Sequence, residues 1–480
     1  MYEIYQSATD VHVWLGPDNK KHYAKIAFNT IQAISNVVLQ TLGITLLDLS
    51  LKRDVYQEVV FKNRESLPSL SECEFVTDEM WKALAWLYSH PYFTRVWVIQ
   101  ELNARREPKV HCGFESSEWL RVEVVAGYII VEASFSKKFG FSNAYCWWAA
   151  VATTERFMQP DDWVSMLYLA SNFSSSDARD AIYGLLGLMK TGKAGCLLKP
   201  DYDKSMLEVY RDAVEEAFSR FNNTNVLLYV TGNENPSWIP RWDKAMIFRN
   251  PFRFGKTLPW SSGGDTEPLL RIDLSLNVLF ISGIIVDSME LVEDYNEALF
   301  CDSSVKSSEG RDKLKQVWQR ILDTLKTASP EMPFKADLLT QVAAAFSFGV
   351  DEEGNPMDES TLLHNFIAYL KIVFDEDTLL SYIAPAVSDE SKGGNGYTFG
   401  KPVWDFEYPD SGFFITKRGL IGCSVSTTEP GDVVFAPLGS VYPLVLRPVN
   451  DGFTLRGYSY VHGIMRGEQR HLPKTVCKVY

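Results

Sequence analysis

Cysteine is sparse and scattered in this sequence. Seven occur in 480 residues, at positions 73, 112, 146, 196, 301, 423 and 477, and no two form a C-x-x-C pair. That spacing argues against a zinc site or a redox dithiol and reads as reduced, mostly buried thiols. No stretch reaches the ~18–20 apolar residues that cross a bilayer. The apolar segment 37–51 is broken by Gln40, Thr41, Gly43, Thr45, Asp48 and Ser50. The N-terminus has neither a basic n-region nor an apolar h-region, so no secretory signal is read. A cytoplasmic location, or a nuclear one, is the default expectation. Positive charge is in deficit, 47 Lys and Arg against 61 Asp and Glu, for a net charge of -14. A chain with that balance and no long basic run is a poor candidate for nucleic acid or an anionic membrane surface. Nucleotide loops are absent too. No G-x-x-x-x-G-K-[ST] occurs, no H-E-x-x-H occurs, and Gly394 to Gly400 misses the dinucleotide spacing.

The composition is that of a folded chain. Hydrophobic residues make up 46% and charged residues 22%, which excludes disorder and fibrous repeats. The length leaves room for two or three domains. The texture predicts an α+β protein in four stretches. Residues 1–225 read as mainly helical with a few short strands, and residues 226–300 as a linker turning to alternation. Residues 301–387 read as a helical insertion and residues 388–480 as β-rich.

Val11, Val13 and Leu15 alternate as a short strand ending at Gly16-Pro17. Such a strand needs partners, and none stands on its N-terminal side. Trp81, Leu84, Ala85 and Tyr88 recur at helical spacing behind Asp78 and Glu79, and Pro91 stops that helix. Thr94 is placed to cap a second helix reaching about Arg105, and Val110 and Cys112 follow as a strand closing at Gly113. Asp177 is placed to cap a helix through Leu188. Ser205 is placed to cap one that buries Leu207, Tyr210, Val214, Ala217 and Phe218.

Beyond residue 400, short strands with Gly turns predict a small β-barrel. They are Phe413–Thr416, Gly419–Gly422, Val433–Ala436, Pro443–Val449 and Phe453–Val461, with turns at Pro430-Gly431-Asp432 and Asn450-Asp451-Gly452. Leu270 to Val286 is expected to add strands to it. The polar stretches Asp302–Gly310 and Ser388–Gly396 are expected to be flexible connections.

Four blocks resemble the fungal heterokaryon-incompatibility (HET) family. Residues 4–16, IYQSATDVHVWLG, are similar to its "IYxxAxxVxVWLG" segment. Residues 91–101, PYFTRVWVIQE, are similar to its "RPWFxRVWVIQE" block, with His90 where an arginine is usual, and Val110 to Gly113 and Trp119 fit the "VxCG…W" that follows. Residues 177–188, DARDAIYGLLGL, resemble "DPRDKIYALLGL" and run on into Pro200-Asp201-Tyr202 and Val209-Tyr210. Residues 236–242, PSWIPRW, resemble "PSWVPDW", and Gly431-Asp432, Leu446-Arg447-Pro448 and Tyr460 to Glu468 resemble the family's tails. The family's opening "SYxWG" and "WIDxxCINQ" motifs do not occur. The resemblance therefore implies a HET domain entered after its first motifs, through gene decay, a missed exon or a shortened form.

HET domains resemble TIR domains in expected fold. The resemblance thus implies a truncated TIR-like α/β domain with a helical extension, ahead of the barrel-like region. Three functions follow from it. One is a non-self recognition protein that triggers or regulates programmed cell death with a protein partner. The second is an NAD glycohydrolase of TIR type, with NAD as substrate and no resident cofactor or metal. The third is an inactive truncated member, its sheet edge exposed. NAD cleavage needs a carboxylate to hold the ribose and stabilise an oxocarbenium-like charge. Glu101 is the candidate, with Trp97 one turn earlier as a stacking platform and Arg95 as a phosphate or carboxylate ligand. Each has a plainer reading: Glu101 as the ion-pair partner of Arg105, Trp97 as core, Arg95 as half of a structural ion pair. Asp177, Arg179 and Asp180 read as a cap and a salt bridge. His111 and Cys112, as strand neighbours, point to opposite faces and cannot form a nucleophile pair.

Overall fold

The computed structural model describes residues 4, 7–19, 21–51, 67, 77–102, 108–131, 163–189, 198–230, 235–246, 259–296, 299–300, 302–351, 355–389, 393–399 and 410–480. The chain is a mixed α+β protein that divides into two compact units. The first takes residues 1–212 and 242–246, the second residues 213–241 and 247–480.

In the first unit β1 (His12–Trp14) pairs in parallel with β2 (Lys109–Cys112), which forms an antiparallel hairpin with β3 (Glu115–Glu118). The partner of β1 therefore comes from downstream, not from its N-terminal side. A parallel pair needs a crossover, and the helices between β1 and β2 supply it. They are α1 (Tyr23–Leu42), α2 (Leu46–Leu51), α3 (Asp78–Tyr88) and α4 (Trp97–Leu102). α1 starts where Asp18 accepts from the Ala24 N–H and Asn19 from the Tyr23 N–H. It stops at Gly43, whose left-handed φ of 67° lets its N–H reach back to the last turn. The face carrying Val11, Val13, Leu15, Val110 and Cys112 is buried, and α1 packs on α3 and on α5 (Trp119–Val131). α6 (Trp163–Ala170), α7 (Asp180–Tyr183) and the start of α8 (Met206–Phe221) complete the unit. Ser205 and Glu208 cap α8 reciprocally, side chain to backbone. Val209, Tyr210, Val214, Ala217 and Phe218 are buried along it, while Leu207 is half-buried.

The second unit is built on β4 (Leu270–Asp273) and β5 (Val278–Tyr295) with β6 (Ser411–Thr416), β7 (Ile421–Ser424), β8 (Val433–Pro437), β9 (Leu444–Val449), β10 (Gly452–Val461) and β11 (Lys474–Val479). The circuit β5–β8–β9–β10–β7–β6 returns to β5, so the sheet closes into the expected barrel. β5 runs nine residues past the expected Val286. Register shifts between Ile285 and Asp287 and between Met289 and Leu291 bend it, so that one strand pairs with β8 and then turns a corner to pair with β6. Ile284, Val286, Met289, Phe414, Val434, Val445 and Val461 fill the interior. Asp432, 1% exposed, holds Arg447 through two bonds of 2.8 and 2.9 Å.

Between β5 and β6 come α9 (Asp302–Lys306), α10 (Ser308–Ala328), α11 (Ala336–Ser347), α12 (Glu359–Val373), α13 (Glu376–Leu380) and α14 (Pro385–Asp389). Both stretches expected to be flexible are structured where described. Asp302–Gly310 is two helices, because Ser307 caps α10 by accepting from the Gly310 N–H. In Ser388–Gly396, Gly394 and Gly396 press on the backbone of α12, where a Cβ would meet the His364 carbonyl at 2.2 Å and the Tyr369 nitrogen at 2.7 Å. Residues 390–392 lie outside the described residues. No helix among the described residues is long and apolar enough to cross a membrane.

Candidate functional site

The segment carrying Arg95, Trp97 and Glu101 begins at His90. Its Nδ1 accepts from the Tyr92 N–H at 3.1 Å, so Nε2 carries the proton and donates to the Leu15 carbonyl. Burial holds this imidazole below the ordinary histidine range, partly offset by the Leu15 bond. The family-like arginine position is thus filled by a neutral ring that ties the segment to the end of β1. Pro91–Thr94 is a 3-10 turn. Thr94 does not cap the next helix. Its hydroxyl bonds back to the Pro91 carbonyl, and α4 starts at Trp97 because the chain is extended at Arg95.

The backbone there is clamped by a distant segment. The Val96 N–H donates to the Ser174 carbonyl and the Ser174 N–H to the Thr94 carbonyl, while the Arg95 side chain is exposed. The Gln100 amide donates to the Gly184 carbonyl. Gly184 must be glycine, since a Cβ would sit 2.7 Å from the Asp180 carbonyl and 3.2 Å from Val96. Two of the family-like blocks, more than 80 positions apart, therefore pack as one element.

Asp180 is the centre of that contact. One carboxylate oxygen accepts from the Trp97 indole at 3.2 Å, the other from the Tyr202 hydroxyl at 2.7 Å. Burial, and then Asp180, push the Tyr202 phenol up to about 12. Arg179 lies over the Tyr202 ring, 5.1 Å from its centre, and pairs with Asp177 at 2.7 Å. It also donates to the Tyr202 and Lys204 carbonyls. The Arg179 bond holds the Asp177 carboxyl below the usual carboxylate range. Asp177 accepts the Arg179 N–H two residues on, and α7 is one turn long, running to Tyr183 rather than Leu188. Tyr210 donates to the Ala178 carbonyl and Tyr183 to the Asp201 carbonyl.

Trp97 and Glu101 do stand one turn apart on α4, but different groups hold them. Glu101 is half-buried and accepts from the Tyr92 hydroxyl at 2.6 Å. Its expected partner Arg105 lies outside the described residues. Each Asp180 oxygen accepts one hydrogen bond within the protein, and Arg179 donates to Asp177 and to two backbone carbonyls. Sequence reasoning missed Tyr92, Ser174 and the role of Tyr202, because none of these contacts follows a helix or strand period. Among the described residues no group of three or more His, Cys, Asp or Glu could hold a metal ion.

The second unit carries a cleft of about 450 Å³ between the end of β5 and α10, lined by both signs of charge, Asp294 and Asp410 with Lys313 and Arg320. Burial raises the Asp294 carboxyl, and the charge of Asp410 adds to that. Within the second unit, the start of the block at 236–242 is anchored by hydrogen bonds. Ser237 bonds to the Tyr480 carbonyl and accepts from the Leu455 N–H, and Trp238 donates to the Asn277 carbonyl. Within the first unit, Trp242 packs edge-on against Tyr210.

Residues 1–101 match the family described as heterokaryon incompatibility protein (HET), and residues 410–474 match the Het-6 beta-barrel domain. The first match ends at Glu101. The second covers β6 to β10 but not β5, the strand that closes the circuit. "Heterokaryon incompatibility protein 6, OR allele" of Neurospora crassa is 25% identical over 346 residues, 61% of this chain. The chain spans about half the length of that relative, 49% of it. No solved structure matches. Through its first 101 residues and its C-terminal barrel, the chain is similar to heterokaryon-incompatibility proteins.

Proposed function

We propose that this chain acts in heterokaryon incompatibility as a cytoplasmic non-self recognition protein that meets a protein partner and triggers or regulates programmed cell death. The HET match over residues 1–101 supports the setting, and the Neurospora relative carries the process in its name. The observation that carries the mode of action is the closed network around Asp180. Trp97 and Tyr202 both donate to Asp180, and Arg179 beside it pairs with Asp177, as residues do when they hold a surface in shape rather than turn over a substrate. What supports a TIR-like, α/β reading of the first unit is the parallel β1–β2 pair with its helical crossover.

The test is nicotinamide release. Purified full-length chain, with and without extract from an incompatible strain, is incubated with NAD. The expected result is no release above a buffer control, and the same for Glu101→Gln. Release by the wild type that disappears in Glu101→Gln would replace recognition by contact with NAD cleavage at Glu101 as the trigger.

A further inference from the structure

The three-stranded sheet of the first unit has one core face and one open face. Alternation sends Val13, Val110 and Cys112 inward and leaves His12, Trp14 and His111 outside. On that outer face the parallel register sets Trp14 beside His111 and His12 beside Lys109. His12 Nδ1 lies 2.8 Å from His111 Nε2, with ring centres 5.0 Å apart and planes inclined by 40°.

We propose that His12 and His111 form a two-imidazole site for a divalent transition metal ion of the nickel, copper and zinc class. Two nitrogens bound to one ion at ~2.05 Å and a right angle stand ~2.9 Å apart, close to the separation already present. The bite is fixed by the ladder, since each imidazole rises from a strand paired with the other. Little conformational freedom is left to lose on binding. In the resting pair one ring donates its N–H and the other accepts. On coordination the donor passes that proton to its second nitrogen through solvent. Both lone pairs then face the ion with no net change in protonation.

Burial, then the charges of His12 and Lys109, hold the His111 imidazole below the ordinary histidine range. Lys109 opposes a cation, and Glu118 faces Lys109 across the β2–β3 ladder. Solvent positions remain for water to complete the coordination. Because β1 is held by a three-residue pairing, an ion clasping it to β2 stabilises the folded chain in proportion to its occupancy.

The test uses the full chain with any affinity tag removed and Ni²⁺ alone as the probe, followed by calorimetric titration and thermal unfolding. The wild type is expected to bind Ni²⁺ and to unfold at higher temperature in its presence, with binding lost as the pH falls below ~6. Removing an outer-shell partner of a metal ligand already costs ~10–100-fold in affinity. Loss of a ligand in His12→Gln or His111→Gln is therefore expected to weaken binding at least tenfold. A readout on the unmodified chain guards against a misfolded variant. With ring-labelled histidine, substoichiometric Ni²⁺ is expected to broaden two of the seven histidine signals. Unchanged affinity in either variant, broadening spread over other histidines, or no Ni²⁺ binding by the wild type overturns the proposal.

Discussion

Replacing Asp180 by alanine should loosen the Trp97–Glu101 helix as much as its own turn. The carboxylate accepts two hydrogen bonds, from Trp97 at 3.2 Å and Tyr202 at 2.7 Å. Bonds to a charged acceptor contribute ~1.5–3 kcal/mol when buried. Here Tyr202 is 50% exposed, and the Trp97 bond is long, so each is worth nearer ~1 kcal/mol. Together they give ~2 kcal/mol, a factor of ~30 in the local opening equilibrium. Asp180→Asn keeps one acceptor oxygen and should cost about half, a factor of ~5. Hydrogen exchange by mass spectrometry reads this on peptides covering residues 95–102 and 177–189. Both peptides should exchange faster in Asp180→Ala, and Trp97→Phe should recover little further loss in the double variant. Faster exchange confined to 177–189, with 95–102 unchanged, would refute the claim that the two blocks form one energetic unit.

Acidification should weaken the folded chain as its two low-titrating histidines take up protons. His90 and His111 both titrate below the ordinary value of 6.5 when folded, so the unfolded chain binds more protons in that range. Stability should be level above about pH 7 and fall as the pH drops below ~6.5; a flat denaturation midpoint from pH 7 to 5.5 would contradict this. Arg447→Ala leaves the buried Asp432 without its two-bonded partner and should cost ~3 kcal/mol in urea unfolding, with Asp432→Asn in the same chain recovering part of it. Gly283→Ala should destabilise the barrel by ~1–3 kcal/mol, since its Cβ would meet the Phe435 ring at 2.4 Å and the Ala436 carbonyl at 2.5 Å. A variant as stable as the wild type would show that β5 and β8 are not so closely joined.

Much of this fold was legible because its signals are local. The alternation of Val11, Val13 and Leu15 marks β1, the reciprocal pair Ser205 and Glu208 marks the start of α8, and Asn450-Asp451-Gly452 marks the β9–β10 turn. Errors came where one residue type serves two purposes. Thr94 reads as a cap but closes a 3-10 turn, and Ser307 reads as a linker but caps α10. The length of β5 was hidden by its two irregularities, which interrupt the period-two pattern. The frame of the candidate site was the least legible part. Trp97 and Asp180 are 83 positions apart, and no spacing rule joins them. Only the family resemblance of both blocks marked them, and it did not say that they touch.

Heterokaryon formation measures a role in incompatibility most directly. Two strains that differ only in this gene, one carrying it and one with it deleted, are each paired with a panel of tester strains, and fusion-cell survival is scored. With at least one tester, the carrier is expected to form dying fusion cells while the deletion strain forms a growing heterokaryon. Identical survival with every tester, when the full-length protein is expressed and folded, would contradict it.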